Sequence, residues 1–421
     1  MVQPPVIVIP GITASNLEDF YPMPPESIWS AVLKKKYDRF ALHPDNLRYE
    51  AREPARLRAV SIFDIVYEDL VEALREELQR DEEVTPVFPF EYDWRQDCIL
   101  TANALDQYVN EVIDRTKLLP HYKGKNFEVD LVGHSMGGLV IADYLKRYGH
   151  KGKVRRVVSI GTPFQGSVDA VLKLIIGKGQ LTGENPRDRE RVAARTIPAL
   201  YQLLPSFDSA VKGVGDVPTD LFDPGTWQNS LLKSLARYIK RYSAKIRPRT
   251  LLKKYLVSAK QHRARIEEVE LDKSLPEADD GWLAILGVGA PTQVKIEIGK
   301  SKDNGLRFRV LEDQDDWSDG DPESPQTGDG TVPFKGALPQ FLAKEKLVCV
   351  CPNDFSRWEI RDRLLAKLSG FHGFLPAVNL VQRLVIRFLR EDYGGHVWGW
   401  KPPTVGKRTW VPPNWVEKRF K

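Results

Sequence analysis

The stretch that decides the fold is FEVDLVGHSMGGLVIADYLKRYG, residues 127–149. Its first part, residues 127–133, is typical of a buried strand, and residues 136–149 carry apolar side chains at helical spacing before a closing glycine. Between them Ser135 occupies the pattern Gly-x-Ser-x-Gly, in which a tight turn lifts a serine oxygen clear of a sheet. The pattern therefore predicts a nucleophilic serine at a strand-to-helix turn rather than a hydroxyl in an ordinary glycine-rich turn.

Strands and helices alternate on both sides of this segment, which predicts a mostly parallel central sheet with helices on both faces. The helix at 61–80 is amphipathic, and Ser61 is its predicted N-cap. A second helix is predicted at 99–117. The predicted strands of this part of the chain cover 6–10, 84–92 and 154–161.

Two segments interrupt the alternation and are predicted to be cap insertions. Residues 19–60 are rich in Pro, Arg and aromatic side chains without a clean period, and residues 165–266 are basic and mostly helical or irregular. The strand pattern resumes after the second cap, and residues 306–311 can pair with residues 293–299 as a hairpin. We expect one domain over residues 1–394, followed by a basic tail rich in Trp and Pro at 395–421. The remaining predicted elements are strands at 282–289 and 346–352 and a closing helix at 379–391.

A serine hydroxyl needs a base, usually a histidine that a carboxylate orients. With a nucleophile elbow of this kind, the chain order should be Ser, then Asp or Glu, then His. Of the seven histidines, only His372 and His396 follow the last predicted strand. We predict His372 as the base, because it lies in a glycine-rich loop between that strand and the closing helix, whereas His396 lies in the tail.

The predicted acid is Asp329, in the stretch TGDGTVP. Glycines flank it, and Val332 and Pro333 follow, so the chain enters the core there and the carboxylate can be dry enough to orient an imidazole. Most of the other acids of this region are predicted to form a solvated loop. A calcium site is the alternative, but the spacing of these acids matches no known calcium-binding loop. These acids are Glu312, Asp313, Asp315, Asp316, Asp319, Asp321 and Glu323.

The transition state of such a reaction also needs two amides that stabilise an oxyanion. One should be the amide of Met136, directly after the nucleophile, and the other should come from the loop after the first strand. Gly11 lets that loop approach closely, so we predict the amide of Ile12, with Thr13 as the next choice. The alternative is that Pro10 and Gly11 form only a turn.

Composition and charge exclude several classes of protein. The chain has 421 residues, 42% of them hydrophobic and 28% charged, and a net charge of +5, which is mild for this length and does not indicate nucleic-acid binding. No secretory signal or membrane-spanning run is recognisable. Cys98, Cys349 and Cys351 make no disulfide framework and are expected to be buried free thiols. No metal-ligand spacing or cofactor motif is found, and a cytoplasmic location is expected.

Eight short stretches together resemble the lecithin:cholesterol acyltransferase family of α/β-hydrolases, which includes lysosomal phospholipase A2 and phospholipid:diacylglycerol acyltransferases. The resemblance implies an α/β-hydrolase fold with two lid-like insertions, and Ser135, Asp329 and His372 as nucleophile, acid and base. The chain departs from the secreted members, since it has no cysteine before residue 98. The stretches, in family order, are VIVIPGITASNLED (6–19), SIWS (27–30), EYDWR (91–95), GHSMGG (133–138), SIGTPFQGS (159–167), IPALYQLLP (197–205), LGVGAPT (286–292) and GDGTVP (328–333).

Three functions are compatible with these residues. The first is a hydrolase of lipid carboxylic esters, in which an acyl group passes through Ser135 to water. The second is an acyltransferase with the same chemistry, in which a lipid alcohol replaces water. The third is an inactive lipid-binding or interaction module, which the intact set of Ser135, Asp329 and His372 disfavours. In EYDWR, Asp93 and Arg95 are expected to pair beneath the site while Trp94 packs.

The second cap contains a basic amphipathic segment at 231–245. Residues 224–266 hold twelve Lys or Arg and no acid. Such a helix can lie on an anionic membrane, or its apolar side can cover the core while its basic side faces the acidic loop. Its apolar side holds Leu231, Leu232, Leu235, Tyr238, Ile239 and Tyr242, and its basic side holds Lys233, Arg237, Lys240, Arg241 and Lys245.

Overall fold

The protein is seen here as a computed structural model. The structure describes residues 2–30, 34–35, 39, 41–44, 56–79, 83–125, 127–176, 188–301, 305–312, 328–343, 346–352, 355, 361–362, 371–392, 404–405 and 408–409.

Strands and α-helices alternate along the chain from residue 57 to residue 160. The strands are β1 Val6–Ile9, β2 Ser15–Asp19, β3 Glu26–Ser30, β4 Lys34–Lys35, β5 Leu57–Ile62, β6 Val87–Pro89, β7 Val129–His134, β8 Val154–Ile160, β9 Val211–Gly213, β10 Trp282–Gly287, β11 Gln293–Lys300, β12 Leu306–Glu312, β13 Leu347–Val350, β14 Thr404–Val405 and β15 Arg408–Thr409. The α-helices are α1 Asp64–Glu77, α2 Cys98–Thr116, α3 Met136–Tyr148, α4 Val168–Ile176, α5 Asp188–Ala194, α6 Pro198–Gln202, α7 Asn229–Arg241, α8 Pro248–Glu267, α9 Phe334–Ala337, α10 Phe371–Phe374 and α11 Asn379–Arg390.

The central sheet has six strands in the order β13-β10-β8-β7-β1-β6, and every neighbouring pair is parallel. The carboxyl ends of its strands therefore lie along one edge, where α/β proteins place their ligands. The register pairs Ile9 with Gly133, so the loop after β1 starts beside the turn that carries Ser135. His134 pairs with Ile160 on the other side.

Alternate residues of the central strands enter two separate cores, as the pleat of a strand requires. Ile7 and Ile9 face one core, which the helices α2 and α3 cover. Val6 and Val8 face the other core, which α1 and α11 cover. The strands are buried on both faces, as expected of a parallel sheet between two layers of helices.

Residues 15–62 depart from the irregular first cap predicted from the sequence. The described part of this segment forms an antiparallel sheet in the order β4-β3-β2-β5. The predicted N-cap at Ser61 is wrong, because Ser61 belongs to β5 and its hydroxyl accepts a hydrogen bond from Asn16 at 2.9 Å. The helix α1 begins three residues later, after Phe63. Ser61 and Ile62 pair with β2 as part of a strand, although the hydrophobic period of the sequence had placed them in the helix.

The described part of residues 165–266, the predicted second cap, is mostly helical and contains α4 to α8 with the short strand β9. The predicted hairpin is confirmed, since β11 and β12 pair antiparallel, but with β9 they form a sheet of their own rather than part of the central sheet. Among the described helices, none has the length and apolar character needed to cross a membrane. In the tail, the described strands β14 and β15 pair with each other.

Candidate active site

Ser135 lies at the turn between β7 and α3, on the carboxyl edge of the central sheet. Its backbone has φ 53° and ψ −124°, a positive-φ conformation that is rare for a non-glycine residue. The amide of Ser135 donates to the carbonyl of Ile160 at 2.8 Å, which ties the turn to β8. Strain of this kind persists only where the surrounding structure holds it, and here it presents the hydroxyl at the edge of the sheet.

Two glycines let neighbouring backbone segments approach this turn. A Cβ atom on Gly137 would come within 2.8 Å of the Pro10 carbonyl oxygen, and one on Gly11 would come within 2.9 Å of the Ser135 Cβ atom. Side chains at these positions would push the loop after β1 away from the serine. Gly137 of the motif, and Gly11 in the loop, are therefore explained by close packing of this loop against the elbow.

The structure brings Ser135, His372 and Asp329 together in a single hydrogen-bonded chain. The Nε2 atom of His372 lies 2.9 Å from the Ser135 hydroxyl oxygen, and its Nδ1 atom lies 2.6 Å from Oδ2 of Asp329. The exposed fractions are 6% for Ser135, 7% for His372 and 1% for Asp329. In this arrangement Nδ1–H donates to the carboxylate, so Nε2 is free to accept the serine proton.

The carboxylate of Asp329 is held by its own loop. Its Oδ1 atom accepts hydrogen bonds from the amides of Thr331 at 3.0 Å and Val332 at 2.7 Å, leaving Oδ2 for the imidazole. The amide of His372 also donates to the Asp329 carbonyl at 2.8 Å. Both carboxylate oxygens therefore have hydrogen-bond partners, which fixes the orientation of Oδ2 towards the imidazole.

Asp329 is held at the edge of the central sheet by β-bridges to a neighbouring loop, and it does not itself follow a strand of that sheet. Residues 328 and 329 bridge to Ala290, in the loop directly after β10. The bridge places Asp329 near the carboxyl end of β10. The acids 313, 315, 316, 319, 321 and 323 lie outside the described residues, and Glu312 is the last residue of β12.

The amides predicted to form the oxyanion site flank the serine. Met136 is the first residue of α3, so its amide is one that the helix leaves without an internal acceptor. Ile12 follows Gly11, and among the described residues no acceptor takes the Ile12 amide. Thr13, the second choice, has φ 66° and marks the sharp bend of this loop. The assignment of oxyanion roles to Ile12 and Met136 stays a prediction.

Three aromatic side chains from two other segments fix the backbone of this loop. The Tyr92 hydroxyl donates to the carbonyl of Pro10 at 2.8 Å. The indole of Trp29 donates to the carbonyl of Thr13 at 2.8 Å, and the indole of Trp94 donates to the carbonyl of Ser15 at 3.1 Å. The stretches SIWS and EYDWR thus act on the geometry of the loop after β1, a role that sequence reasoning missed.

The ion pair predicted within EYDWR is confirmed. Arg95 is fully buried, and its guanidinium lies 2.7 Å from the Asp93 carboxylate. Trp94 packs edge-on against Trp29 with ring centres 5.1 Å apart. A buried guanidinium is tolerable only when it is paired, so this pair permits the tight packing of the segment that supports Trp94.

Four other described histidines have partners away from the Ser135 hydroxyl. His262 is buried and lies 2.7 Å from the Asp143 carboxylate, between α8 and α3. His121 lies 3.0 Å from the Val84 carbonyl, and His43 packs on Tyr242. The ring nitrogens of His134 contact the Tyr67 hydroxyl and the His372 carbonyl, not the Ser135 hydroxyl. His396 lies outside the described residues.

Within the described part of the chain, no group of three or more His, Cys, Asp or Glu side chains is placed to hold a metal ion. Cys98, Cys349 and Cys351 are buried thiols, as the sequence predicts.

The chain is similar to one protein family and to solved structures. The family model described as lecithin:cholesterol acyltransferase matches residues 56–225. A chain in the crystal structure of the Tle4-Tli4 complex has a TM-score of 0.65 at 15% identity, over 92% of this chain and 98% of that chain. Lipase BlEst2 of Bacillus licheniformis, in its mature form, has a TM-score of 0.35 at 12% identity, over 83% of this chain and 84% of its own. A search of curated proteins gave no match.

The protein has the α/β-hydrolase fold, and its residues 56–225 are similar to the lecithin:cholesterol acyltransferase family. The family match covers Ser135, the EYDWR stretch and the loop after β8, but it ends before Asp329 and His372. Those two residues are therefore supported by the geometry of the site, where they meet Ser135, and not by the matched range.

Proposed function

We propose that the protein cleaves carboxylic esters of lipids through an acyl-enzyme on Ser135. The observation that carries this proposal is the hydrogen-bonded chain from Ser135 through His372 to Asp329, with distances of 2.9 and 2.6 Å between buried groups. The lipid character of the substrate is proposed from the family match, whose description names an acyltransferase of lecithin and cholesterol.

The reaction follows from the positions of these groups. The Ser135 oxygen attacks the acyl carbon while Nε2 of His372 takes the hydroxyl proton, and the ionised Asp329 stabilises the imidazolium that forms. The amides of Ile12 and Met136 would donate to the oxygen that becomes negative. Collapse transfers the proton from His372 to the leaving alcohol and leaves an acyl-serine.

A second acceptor resolves the acyl-serine. With water the protein is a hydrolase, and with a lipid alcohol it is an acyltransferase, the reaction in the description of the matching family. Both use the same residues, so products must separate them. After incubation with a mixed lipid panel, with and without a long-chain alcohol, free fatty acid alone indicates hydrolysis and a new ester indicates transfer.

The catalytic role of Ser135 is tested by a fluorophosphonate probe. We expect the probe to label Ser135 alone, and Ser135→Ala to lower turnover by a factor on the order of 10⁴ or more, since the three residues act as a unit. Peptide mass spectrometry locates the label. Labelling of the Ser135→Ala protein to the same extent, or labelling of another serine in the wild type, would show that the nucleophile is elsewhere.

We also propose that the protein docks on anionic lipid through the basic side of α7. The apolar side of this helix is not available to a membrane, because Leu231, Leu235 and Tyr238 are at most 3% exposed and pack into the core. Lys233, Arg237 and Lys240 are exposed, and none of the three has an ion pair with a described residue. Contact with a membrane would therefore be electrostatic.

A cytoplasmic location remains a proposal. It is supported by the three buried thiols, which have not formed disulfides.

A further inference from the structure

A continuous chain of buried hydrogen bonds runs behind the candidate site. The Gly11 amide donates to the Tyr67 hydroxyl at 2.9 Å, and that hydroxyl lies 2.7 Å from Nδ1 of His134. The Nε2 atom of His134 lies 3.0 Å from the carbonyl oxygen of His372. Tyr67 is fully buried and His134 is 5% exposed, so water does not compete for these groups.

Only one arrangement of protons satisfies every member of this chain. The His372 carbonyl can only accept, so Nε2 of His134 carries the hydrogen and donates. In a neutral ring Nδ1 is then an acceptor, and the Tyr67 hydroxyl donates to it. The tyrosine oxygen is left to accept from the Gly11 amide, which can only donate.

The surroundings of His134 keep the ring neutral. Burial lowers the pKa of His134 well below its usual value, and the neighbouring His372 lowers it further. The rings of His134 and His372 are 5.1 Å apart, so a second positive charge here would be repelled whenever His372 is protonated. Burial also raises the pKa of Tyr67, which keeps its hydroxyl proton in place.

The two ends of this hydrogen-bonded chain lie at two parts of the proposed active site, the oxyanion loop and the base. Gly11 precedes Ile12, whose amide is the predicted oxyanion donor, and it packs against Ser135. His372 carries the proposed base. Tyr67 comes from α1, on the face of the sheet opposite to α3, so it links the loop after β1 to elements that are distant in sequence.

We propose that Tyr67 and His134 are positioning residues that hold the oxyanion loop and the backbone of His372 in register with Ser135. This inference rests on the proposed function. Because His134 is neutral and hydrogen-bonded at both nitrogens, it orients without exchanging protons with the substrate. A displacement of about 1 Å at an active site can cost a hundredfold in rate, which is the effect that this chain prevents.

The first test removes the central hydroxyl. Tyr67→Phe leaves the Gly11 amide and Nδ1 of His134 without partners, and we expect kcat to fall about tenfold to a hundredfold with little change in KM. The matched control is Tyr122→Phe, which removes another buried hydroxyl, bound to the Gln3 carbonyl at 2.6 Å near the opposite edge of the sheet. Equal kcat in the two variants, at similar thermal stability, would overturn the inference.

The second test asks whether the two residues act as one unit. We expect the double variant Tyr67→Phe/His134→Ala to lose no more kcat than His134→Ala alone. His134→Gln should retain more activity than His134→Ala, because its amide N–H can still donate to the His372 carbonyl. Fully additive losses, or no rescue by glutamine in a stably folded protein, would contradict a shared positioning role.

A third measurement reads the proton arrangement directly. ¹⁵N spectra of histidine-labelled protein should find His134 protonated on Nε2 and His372 protonated on Nδ1, and Tyr67→Phe should perturb the His134 ring. A His134 ring protonated on Nδ1 would overturn the chain itself. Wild-type protein that neither reacts with fluorophosphonate nor cleaves esters would instead overturn the proposed function, and the positioning role with it.

Discussion

At the scale of single residues, the sequence was most informative where chemistry restricts the choice. The turn at Ser135 was predictable because its glycine pattern excludes side chains from a crowded place. Asp329 and His372 were chosen from chain order and local context, and the structure brings them to Ser135. The sequence could not show the link through Tyr67 and His134, because these residues are 67 positions apart and their contact depends on how α1 crosses the sheet.

The role of Asp329 as the acid of the triad is tested by removing its charge. Asp329→Asn keeps the size of the side chain but removes the charge that orients and stabilises the His372 imidazolium. We expect a folded protein with turnover lower by a factor of about 10²–10⁴. Turnover and thermal unfolding are to be measured together.

The control for this substitution comes from the same acidic stretch of sequence. Asp319→Asn and Asp321→Asn remove charges that the sequence predicts to be solvated, so turnover should change little. A neighbour that proved more damaging than Asp329 would move the acid of the triad to that position.

At the scale of elements, the parallel strands and their helices were predictable because each has a strong hydrophobic period of its own. The antiparallel sheet of β2 to β5 was not, since β5 pairs with β2 across some forty residues and the hydrophobic pattern of the segment is broken by prolines and charges. The wrong N-cap at Ser61 has the same origin. Local pattern favoured a longer helix, but strand pairing between distant residues decided the boundary.

Asp19 shows how this antiparallel sheet is held together. It ends β2, is 1% exposed, and accepts hydrogen bonds from Arg56 and Arg39. Burial alone would raise the pKa of this carboxyl, but the two guanidinium groups and the Tyr21 amide outweigh burial and lower it to about 2. The ionised carboxylate is thus more stable in the folded protein than in the unfolded chain.

This ion pair predicts a pH dependence of stability. Because the folded pKa is below the unfolded value of about 4, the stabilisation is complete above pH 4 and is lost as the pH falls towards 2. At neutral pH, Asp19→Asn should lower the free energy of unfolding by at most about 2 kcal/mol. The difference from wild type should shrink in denaturant titrations below pH 4.

Glu18→Gln is the control on the same strand, since no ion pair joins Glu18 to another described residue. It should change stability little at any pH. A pH-independent loss in Asp19→Asn would mean that packing of the side chain, rather than its charge, holds β2 in the sheet.

At the scale of the whole molecule, buried polar contacts join the second cap to the core. Asp143 of α3 binds His262 and Arg265 of α8, and the buried guanidinium of Arg263 donates to carbonyls that include Gln202 at 3.0 Å. Burial lowers the pKa of Arg263 to about 10, so it remains charged at neutral pH. Sequence alone could not assign these side chains to the interior, because in α8 they look like part of a solvated basic face.

The distribution of charge over the molecule is strongly uneven. Residues 224–266 contain twelve Lys or Arg and no acid, whereas the rest of the chain has more acidic than basic residues. The cap therefore carries the entire positive excess of the protein. A localised field of this kind favours one orientation on an anionic surface and weakens as salt rises.

Vesicle sedimentation tests this orientation. Each basic residue near an anionic bilayer contributes about 1 kcal/mol, so Arg237→Gln/Lys240→Gln should weaken binding to phosphatidylserine vesicles about thirtyfold. The control Lys123→Gln/Lys125→Gln makes the same charge change in the exposed loop before β7, near the opposite edge of the sheet, and should leave affinity nearly unchanged. Equal losses in both variants would indicate a response to net charge alone. A cap variant that loses thermal stability but keeps its vesicle affinity would contradict this orientation. The basic side of α7 would then serve contacts within the protein, such as those with the acidic stretch after β12, and another surface would bind lipid.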